Sequence, residues 1–186
     1  MNKNNLSTEN VRTYLCNSVD QAVERHQLDL SALAQHYLVE MLERFADTLQ
    51  FMPQQRLEPV CFQYQRLADQ MNKLQRVQLQ AELGDHCLFL VGYFYDFVRS
   101  SGKAQVKYHS QIGSSAYQQT GIPLFTELAR NFNDLYLVIA DLRLPELDQP
   151  QKLMDIYQKW TATKDSYYAS LLLGKGITPL VSKGRN

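Results

Sequence analysis

The chain has few cysteines, and they lie far apart. Its 186 residues include three, Cys16, Cys61 and Cys87. Small exported domains that depend on disulfides carry more cysteines at closer spacing, and zinc knuckles need paired C-x-x-C motifs. Neither arrangement is present. The three cysteines are therefore expected to behave as small buried hydrophobic residues in a reducing cytoplasm.

The chain also lacks net charge and long apolar runs. Its 19 Lys and Arg residues balance 19 Asp and Glu residues, which disfavours general nucleic-acid binding. The longest nearly uninterrupted apolar run, from Cys87 to Tyr95, is far shorter than the roughly 20 residues that cross a bilayer. Met1 to Asn5 shows no leader pattern. The sequence therefore predicts a cytoplasmic protein without a membrane span.

Catalytic and metal-binding signatures are scarce as well. No G-x-S-x-G elbow, phosphate-binding glycine loop, H-E-x-x-H motif or dinucleotide fingerprint occurs. His36 and Glu40 stand four residues apart, as do Glu82 and His86, so each pair shares a helix face. Bundles that hold two metals use a Glu-x-x-His spacing instead. The sequence predicts no metal site and no cofactor, and it favours a non-enzymatic role.

Helical periodicity is what the chain has in abundance. Apolar residues recur every three or four positions, as on one face of a helix. Gly121, Gly174 and Gly176 are expected to end helices and Pro123 to open one. These features predict an all-α, single-domain bundle over residues 1–186 with flexible ends at 1–7 and 177–186. The boundary between two helices near residues 72–82 stays open. The pattern predicts about seven helices, at residues 8–26, 30–49, 59–74, 83–98, 103–120, 123–142 and 150–171.

The segment from Leu83 to Val98, LGDHCLFLVGYFYDFV, has apolar and aromatic residues on all sides of a helical wheel. Such a helix must be surrounded by others, so it is predicted to be the buried central helix of the bundle. Gly84 and Gly92 within it, and Gly113 in the next helix, each cost about 1 kcal/mol of helix stability relative to alanine. Close packing against neighbouring helices would offset that cost. A ligand lying against the bare backbone is the alternative.

A small group of polar and aromatic residues forms the candidate ligand pocket. Asp85 and His86 open the apolar segment, where burial is costly unless each finds a partner. Tyr108 and His109, across a turn from this segment, are the expected partners. Two interpretations stay open, a structural polar network and a functional pocket. The pocket residues would be Asp85, His86, Tyr93, Tyr108, His109 and Tyr117.

Three segments of the chain resemble, in order, blocks of a family of uncharacterised proteobacterial helical proteins. They are LGDHCLFLVGYFYDF, YHSQIGSSAY and KLMDIYQKWTATKDSYYASLLLGKGITPL, with a looser match in YLVEMLERF. The resemblance implies a helical fold and no particular activity. Glu82 and His86 do not belong to the family pattern, which argues further against a metal site there. The matching positions are Gly84, Asp85, Leu88, Phe89, Gly92, Phe94, Tyr108, Gly113, Ala116 and Tyr117.

Abundant tyrosine favours binding as the function. The chain has 11 tyrosines, a residue that joins a large apolar body to a polar tip and is enriched at interfaces. The leading hypothesis is a non-enzymatic accessory factor that binds another protein; a homo-oligomer is also compatible with the sequence. The alternative is a small-ligand or metal-binding bundle, oxidase-like in one version, centred on Asp85, His86, Tyr108 and His109. RNA binding through Lys183 to Arg185 is a third hypothesis, but it lacks the basic stripe that such binding needs.

Overall fold

The computed structural model describes residues 8–49 and 72–179 of the chain. Over these residues the fold is all-helical, as the sequence predicts. The helix predicted over residues 59–74 lies almost wholly outside the described residues, as do the predicted flexible residues 1–7 and most of the predicted tail. The described helices are α1 (Thr8–Arg25), α2 (Ala32–Leu49), α3 (Lys73–Tyr93), α4 (Tyr95–Ser100), α5 (Lys103–Gln119), α6 (Pro123–Arg130), α7 (Phe132–Ala140), a 3-10 helix (Asp141–Asp148), α8 (Pro150–Thr163) and α9 (Ser166–Gly174).

Several helix ends follow directly from the residues that stand there. The Asn72 side chain accepts the backbone N–H of Gln75 at 2.9 Å, and the Gln75 side chain accepts that of Asn72 at 3.1 Å. This capping box starts α3 at Lys73, so the helix begins ten residues before the start predicted at Leu83. Gly121 and Gly176, with φ of +69° and +73°, follow α5 and α9 as the sequence predicts.

Three predicted helices are interrupted in the structure. The prediction of one helix over residues 83–98 is wrong, because the backbone breaks at Phe94, with φ −102° and ψ 31°. The predicted helix over 123–142 breaks at Asn131, and the one over 150–171 breaks at Lys164, which has a left-handed φ of 54°. No proline or glycine marks these three positions. Phe97 in α4 is 48% exposed, so the expectation of a segment enclosed on all sides fails there.

Two apolar clusters form the core of the described structure. The first joins α1, α2, α3, α5, α6 and α7, and the second joins α4, α8, α9 and the 3-10 helix to the ends of α3 and α7. Leu88 of α3 belongs to the first cluster and Val91 to the second, and both are 0% exposed. Burying such a side chain contributes about 1.5–3 kcal/mol. Helix α3 therefore stabilises both clusters. Among the described residues, no helix is both long and apolar enough to cross a membrane.

Glycine allows neighbouring helices to approach α3 closely. A Cβ atom added at Gly84 would lie 2.3 Å from the ring of Tyr117 in α5. Added at Gly92 or Gly113, it would lie 2.7 or 2.5 Å from a side chain of α7. Protein interiors are packed too densely to absorb such overlaps without moving the neighbour. The observed spacing of α3, α5 and α7 thus depends on residues without side chains.

Candidate functional site

Asp85 is a buried acid on which α2, α3 and α5 converge. Its side chain is 3% exposed. The Tyr37 hydroxyl of α2 donates to both carboxylate oxygens at 2.9 Å, and the Tyr117 hydroxyl of α5 donates to Oδ1 at 2.7 Å. Arg44 of α2 adds an ion pair to Oδ2 at 2.8 Å. These four residues are called the Asp85 network below.

The protonation states of the Asp85 network follow from its burial. Desolvation raises the pKa of the Asp85 carboxyl, while hydrogen bonds from Tyr117 and Tyr37 and the charge of Arg44 oppose the rise. Burial also raises the pKa of Tyr37 and of Tyr117, and the nearby carboxylate adds to both shifts. Both phenols therefore stay protonated at neutral pH and act as hydrogen-bond donors to Asp85. The arrangement satisfies the buried acid and ties three helices together.

His86 and Tyr93 lie on α3 and contact the same cluster of aromatic rings, in which Phe45 stacks on Phe89 at 4.4 Å. The Nδ1 atom of His86 lies 2.7 Å from the backbone carbonyl oxygen of Glu82, and its ring meets Phe45 of α2 edge-on at 5.2 Å. Tyr93 stacks on Phe89, one turn earlier in the same helix, with ring centroids 5.4 Å apart. Both side chains are half-buried. These contacts extend the aromatic packing between α2 and α3.

Tyr108 and His109 form a separate pair on α5. Their ring centroids lie 5.5 Å apart, and Tyr108 is 41% exposed. Burial lowers the pKa of His109. The partnership with Asp85 expected of them is not observed: the hydrogen bonds of Asp85 within the described structure come from the other members of its network. Of the predicted pocket residues, the structure joins Asp85 and Tyr117 by a direct hydrogen bond.

The sequence interpretation missed Tyr37 and Arg44, the two contributions of α2 to the Asp85 network. Tyr37 reads as one more apolar position on the inner face of α2, and Arg44 reads as a solvated charge. Their separation of seven residues nevertheless places them on the same side of a helix, two turns apart. The shared face is a local signal that the two side chains can act together, but it does not show which helix supplies their carboxylate.

The two His/Glu pairs make different contacts in the structure. His36 Nε2 and Glu40 Oε1 lie 3.2 Å apart on the exposed side of α2. His86 faces the backbone oxygen of Glu82 rather than its carboxylate. Within the part of the chain that the structure describes, no group of three or more His, Cys, Asp and Glu residues is placed to hold a metal ion.

A second buried carboxylate, Asp141, joins α1 to the 3-10 helix. It is 6% exposed, and its Oδ2 accepts a hydrogen bond from Arg25 at the end of α1. The same oxygen lies 3.1 Å from Nε2 of His26. Its Oδ1 is buried without a hydrogen-bond partner in the described structure. Asp141 therefore fixes the end of α1 through one oxygen alone.

A groove runs along one side of α5 and is closed on the opposite side by α6 and α7. Its larger compartment has a volume of about 670 Å³. Buried residues such as Phe132, 2% exposed, form its floor. The lining residues are Tyr95, Arg99, Val106, Lys107, Ser110, Gln111, Ser114, Ala129, Arg130, Phe132, Asn133, Tyr136 and Asp165.

A smaller compartment of about 470 Å³ continues the groove toward the C-terminal end of α5. The two compartments share Gln111, Ser114, Ala129 and Arg130, so they form one continuous surface. The remaining residues of the smaller one are Ser115, Gln118 and Gln119. The groove residues of α5 recur every three or four positions, which makes them a polar stripe along one face of the helix.

The groove is positively charged although the chain as a whole has a net charge of zero. Three basic side chains and one acidic side chain line it, which leaves a net charge of +2. Arg99 pairs with Asp165, the residue that caps α9. Lys107 and Arg130 have no acidic partner among the described residues, and both are exposed. Two cations on facing walls of the groove are thus available to a ligand.

Two tyrosines, Tyr95 and Tyr136, contribute to the floor of the larger compartment. The ring of Tyr95 stacks on that of Tyr167, with centroids 3.8 Å apart. Burial is the main cause that raises the pKa of Tyr95, and the hydrogen bond between Tyr95 and Asp165 raises it further. Burial likewise raises the pKa of Tyr136.

No family model, curated protein or solved structure matches the chain.

Proposed function

We propose that this protein is a non-enzymatic helical binding protein whose groove holds a segment of a partner protein. The observation that carries the proposal is the groove itself, an open surface with compartments of about 670 and 470 Å³ that both polar and apolar groups line. Lys107 and Arg130 stand in it without an acidic partner among the described residues. Peptide grooves combine hydrogen bonds to the bound chain with a few charged contacts that fix its position. The groove offers both kinds of contact.

The placement of the carboxylates supports binding rather than catalysis. A general acid or base must come within hydrogen-bond reach of the substrate atom that it protonates or deprotonates. Asp85 is 3% exposed and already accepts hydrogen bonds from Tyr37, Tyr117 and Arg44. Asp165, which does line the groove, pairs with Arg99. Both acids are therefore engaged in contacts that hold helices in place.

We further propose that the glycine-containing helix predicted from the sequence acts as the central helix of this scaffold. Its counterpart in the structure is α3, which contributes Leu88 and Val91 to different apolar clusters. Gly84 and Gly92 admit close neighbours from α5 and α7. These contacts support a role for α3 in fixing the helices that line the groove.

A cytoplasmic location and kinship with the uncharacterised proteobacterial helical proteins also belong to the proposal. The cytoplasmic location rests on the three widely spaced cysteines. The kinship rests on the three sequence blocks, which cover roughly the second half of the chain. Neither depends on the groove.

The rival hypothesis is a small-ligand site. The volume of the larger compartment favours it, because pockets for small molecules span about 300–1,000 Å³. Such pockets enclose most of their ligand, whereas this groove is open, with Lys107, Gln111, Arg130 and Asn133 exposed along it. The predicted oxidase-like pocket around Asp85 has less support still, since the carboxylate oxygens there are occupied by neighbouring side chains.

Photo-crosslinking in the native host tests the proposal. A photoreactive amino acid would replace Gln111 in the groove or, as a control, the equally exposed Gln158 of α8. We expect capture of a specific protein at position 111 and not at 158. Mass spectrometry would identify that protein, and its binding would then be measured with purified components.

Matched charge variants decide whether the captured protein occupies the groove. Lys107→Glu with Arg130→Glu reverses both groove cations, and Lys73→Glu with Arg76→Glu makes the same change in net charge at the exposed start of α3. We expect only the first double variant to weaken binding. Equal affinity of both double variants for the identified partner would exclude the groove as its site.

A further inference from the structure

The chemistry of the bound segment can be inferred from the charges and hydrogen-bonding groups that line the groove. Building on the proposed function, we propose that the groove binds an extended acidic segment of the partner, with its carboxylates paired to Lys107 and Arg130. Lys107 lies on α5 and Arg130 at the end of α6, so the two cations face the bound segment from different walls. Arg130 lines both compartments and marks where they join.

Charge complementarity points to an acidic segment. A net charge of +2 in the groove contrasts with a net charge of zero for the chain, so the positive potential is local. Complementary charge guides encounter and fixes the orientation of a partner, and a basic segment would be repelled. Arg99 is already neutralised by Asp165, which leaves Lys107 and Arg130 to pair with the carboxylates.

The hydrogen-bonding groups of the groove fit the backbone of an extended chain. Gln111 and Gln118 are exposed and make no side-chain hydrogen bond within the described structure. Each carboxamide offers both donors and an acceptor, which matches the alternating N–H and C=O groups of a peptide backbone. Ser114 and Gln119 are less available, because they already bond to the Ala129 carbonyl and to other side chains.

The length of the stripe on α5 sets the length of the bound segment. Lys107 and Gln118 are 11 residues apart in one helix, which corresponds to about 16 Å at a rise of about 1.5 Å per residue. An extended chain covers that distance with about five residues. A short acidic peptide is therefore long enough to contact Lys107, Arg130 and both free glutamines.

The same features make single-stranded nucleic acid a poorer fit. Nucleic-acid sites of this kind present stacking platforms for bases together with many phosphate contacts. Of the three aromatic residues that line the groove, Tyr95 and Phe132 are covered, at 3% and 2% exposed, and Tyr136 is half-buried. Two unpaired cations also supply few phosphate contacts. An acidic peptide needs neither feature.

Nuclear magnetic resonance titration of the full chain tests the inference. The probe is an acetylated peptide of about six alternating glutamate and glycine residues, at about 50 mM salt, where exposed charges are weakly screened. Peptides with lysine or glutamine in place of glutamate, and a thymidine hexanucleotide, serve as comparisons. We expect saturable shifts of groove amides with the glutamate peptide. Reversing Lys107 and Arg130 to glutamate should weaken its binding about tenfold, while the Lys73/Arg76 reversal should leave affinity nearly unchanged.

Each other outcome overturns the inference. Equal binding of the glutamine peptide would show that acidic groups are not recognised, and tighter binding of the oligonucleotide would indicate a nucleic-acid site. Absence of saturable shifts, or shifts outside the groove, would exclude an acidic peptide there. If crosslinking at Gln111 still identifies a partner whose binding depends on the groove, the proposed function stands and the acidic segment alone is wrong. If no such partner is found either, both fail.

Discussion

Replacing Gly84 with alanine tests whether the close contact of α3 with α5 maintains the Asp85 network. The new Cβ would lie 2.3 Å from Cδ1 and Cε1 of the Tyr117 ring. That ring is fully buried and stacks against Phe125 of α6 at 5.5 Å, so it has no free space to move into. Relief of the overlap must shift α5 or turn the ring. Either movement draws the Tyr117 hydroxyl away from Asp85.

The expected loss of stability follows from three opposing contributions. Overpacking a core with one added carbon costs about 1–3 kcal/mol. Losing a hydrogen bond to a charged group costs about 1.5–3 kcal/mol more. Alanine in place of glycine within a helix returns about 1 kcal/mol. The free energy of unfolding of the Gly84→Ala variant should therefore fall by about 1.5–5 kcal/mol.

Urea denaturation followed by far-ultraviolet circular dichroism measures this loss, and a double-mutant cycle with Tyr117→Phe assigns its cause. If alanine displaces the hydroxyl, then Tyr117→Phe should cost less in the Gly84→Ala background than in the wild-type protein. A Gly84→Ala variant as stable as the wild type, or about 1 kcal/mol more stable, would refute the reasoning. The gain in helix propensity would then exceed the cost of the overlap between the new Cβ and the Tyr117 ring.

Three further variants test other buried polar groups by urea denaturation. Folding raises the pKa of Asp85, so the folded chain holds the proton of this carboxyl more tightly than the unfolded chain does. The wild type should therefore lose stability relative to Asp85→Asn as pH rises above about 4. A stability difference between the two that does not change with pH would contradict this. Asp141→Ala should cost about 2 kcal/mol by removing the partner of Arg25 and His26. The cost stays moderate because the Arg25 side chain is 35% exposed and still partly hydrated. No loss of stability would show that the ion pair is dispensable. Ser170→Ala should stabilise by up to about 1 kcal/mol, because the Ser170 hydroxyl is buried without a partner in the described structure; destabilisation would reveal one.

Periodicity and turn residues were enough to predict the helical class and several helix ends. The ends marked by Gly121, Pro123 and Gly176 are confirmed, because each residue acts locally through its own backbone. The break at Phe94 could not be predicted in this way. It stands inside an apolar run and carries neither a proline ring nor a glycine backbone, so tertiary packing decides where α3 ends.

The break between α8 and α9 did leave a local signal. Asp165 caps α9 by accepting the backbone N–H of Tyr167 at 3.1 Å, and aspartate is one of the preferred N-cap residues. The preceding Lys164 adopts the left-handed conformation that often ends a helix. The apolar spacing across residues 150–171 hid this signal, since residues on both sides of the break happen to face the same cluster.

The candidate sites depend on contacts between helices that are distant in the chain, and the sequence alone did not predict these contacts. Asp85 and Tyr117 stood out because one is a polar residue in an apolar run and the other lies on the inner face of α5. Their partners Tyr37 and Arg44 come from a helix more than 40 residues earlier in the chain, and periodicity within a helix carries no information on which helices meet. The groove was missed for the same reason. The stripe through Lys107 and Gln111 is visible in the sequence, but its facing wall is not.

The two faces of α5 connect the buried network to the groove. On the inner face, Tyr117 binds Asp85, and Gly113 lets the ring of Phe132 approach closely. Phe132 is also part of the groove floor, and Lys107 and Gln111 lie on the face of α5 that lines it. A helix held on its inner face by a satisfied carboxylate can present its polar stripe in a fixed position. Preorganisation of this kind lowers the ordering cost of binding, so on the proposed function the Asp85 network supports binding indirectly, by holding α5 in place.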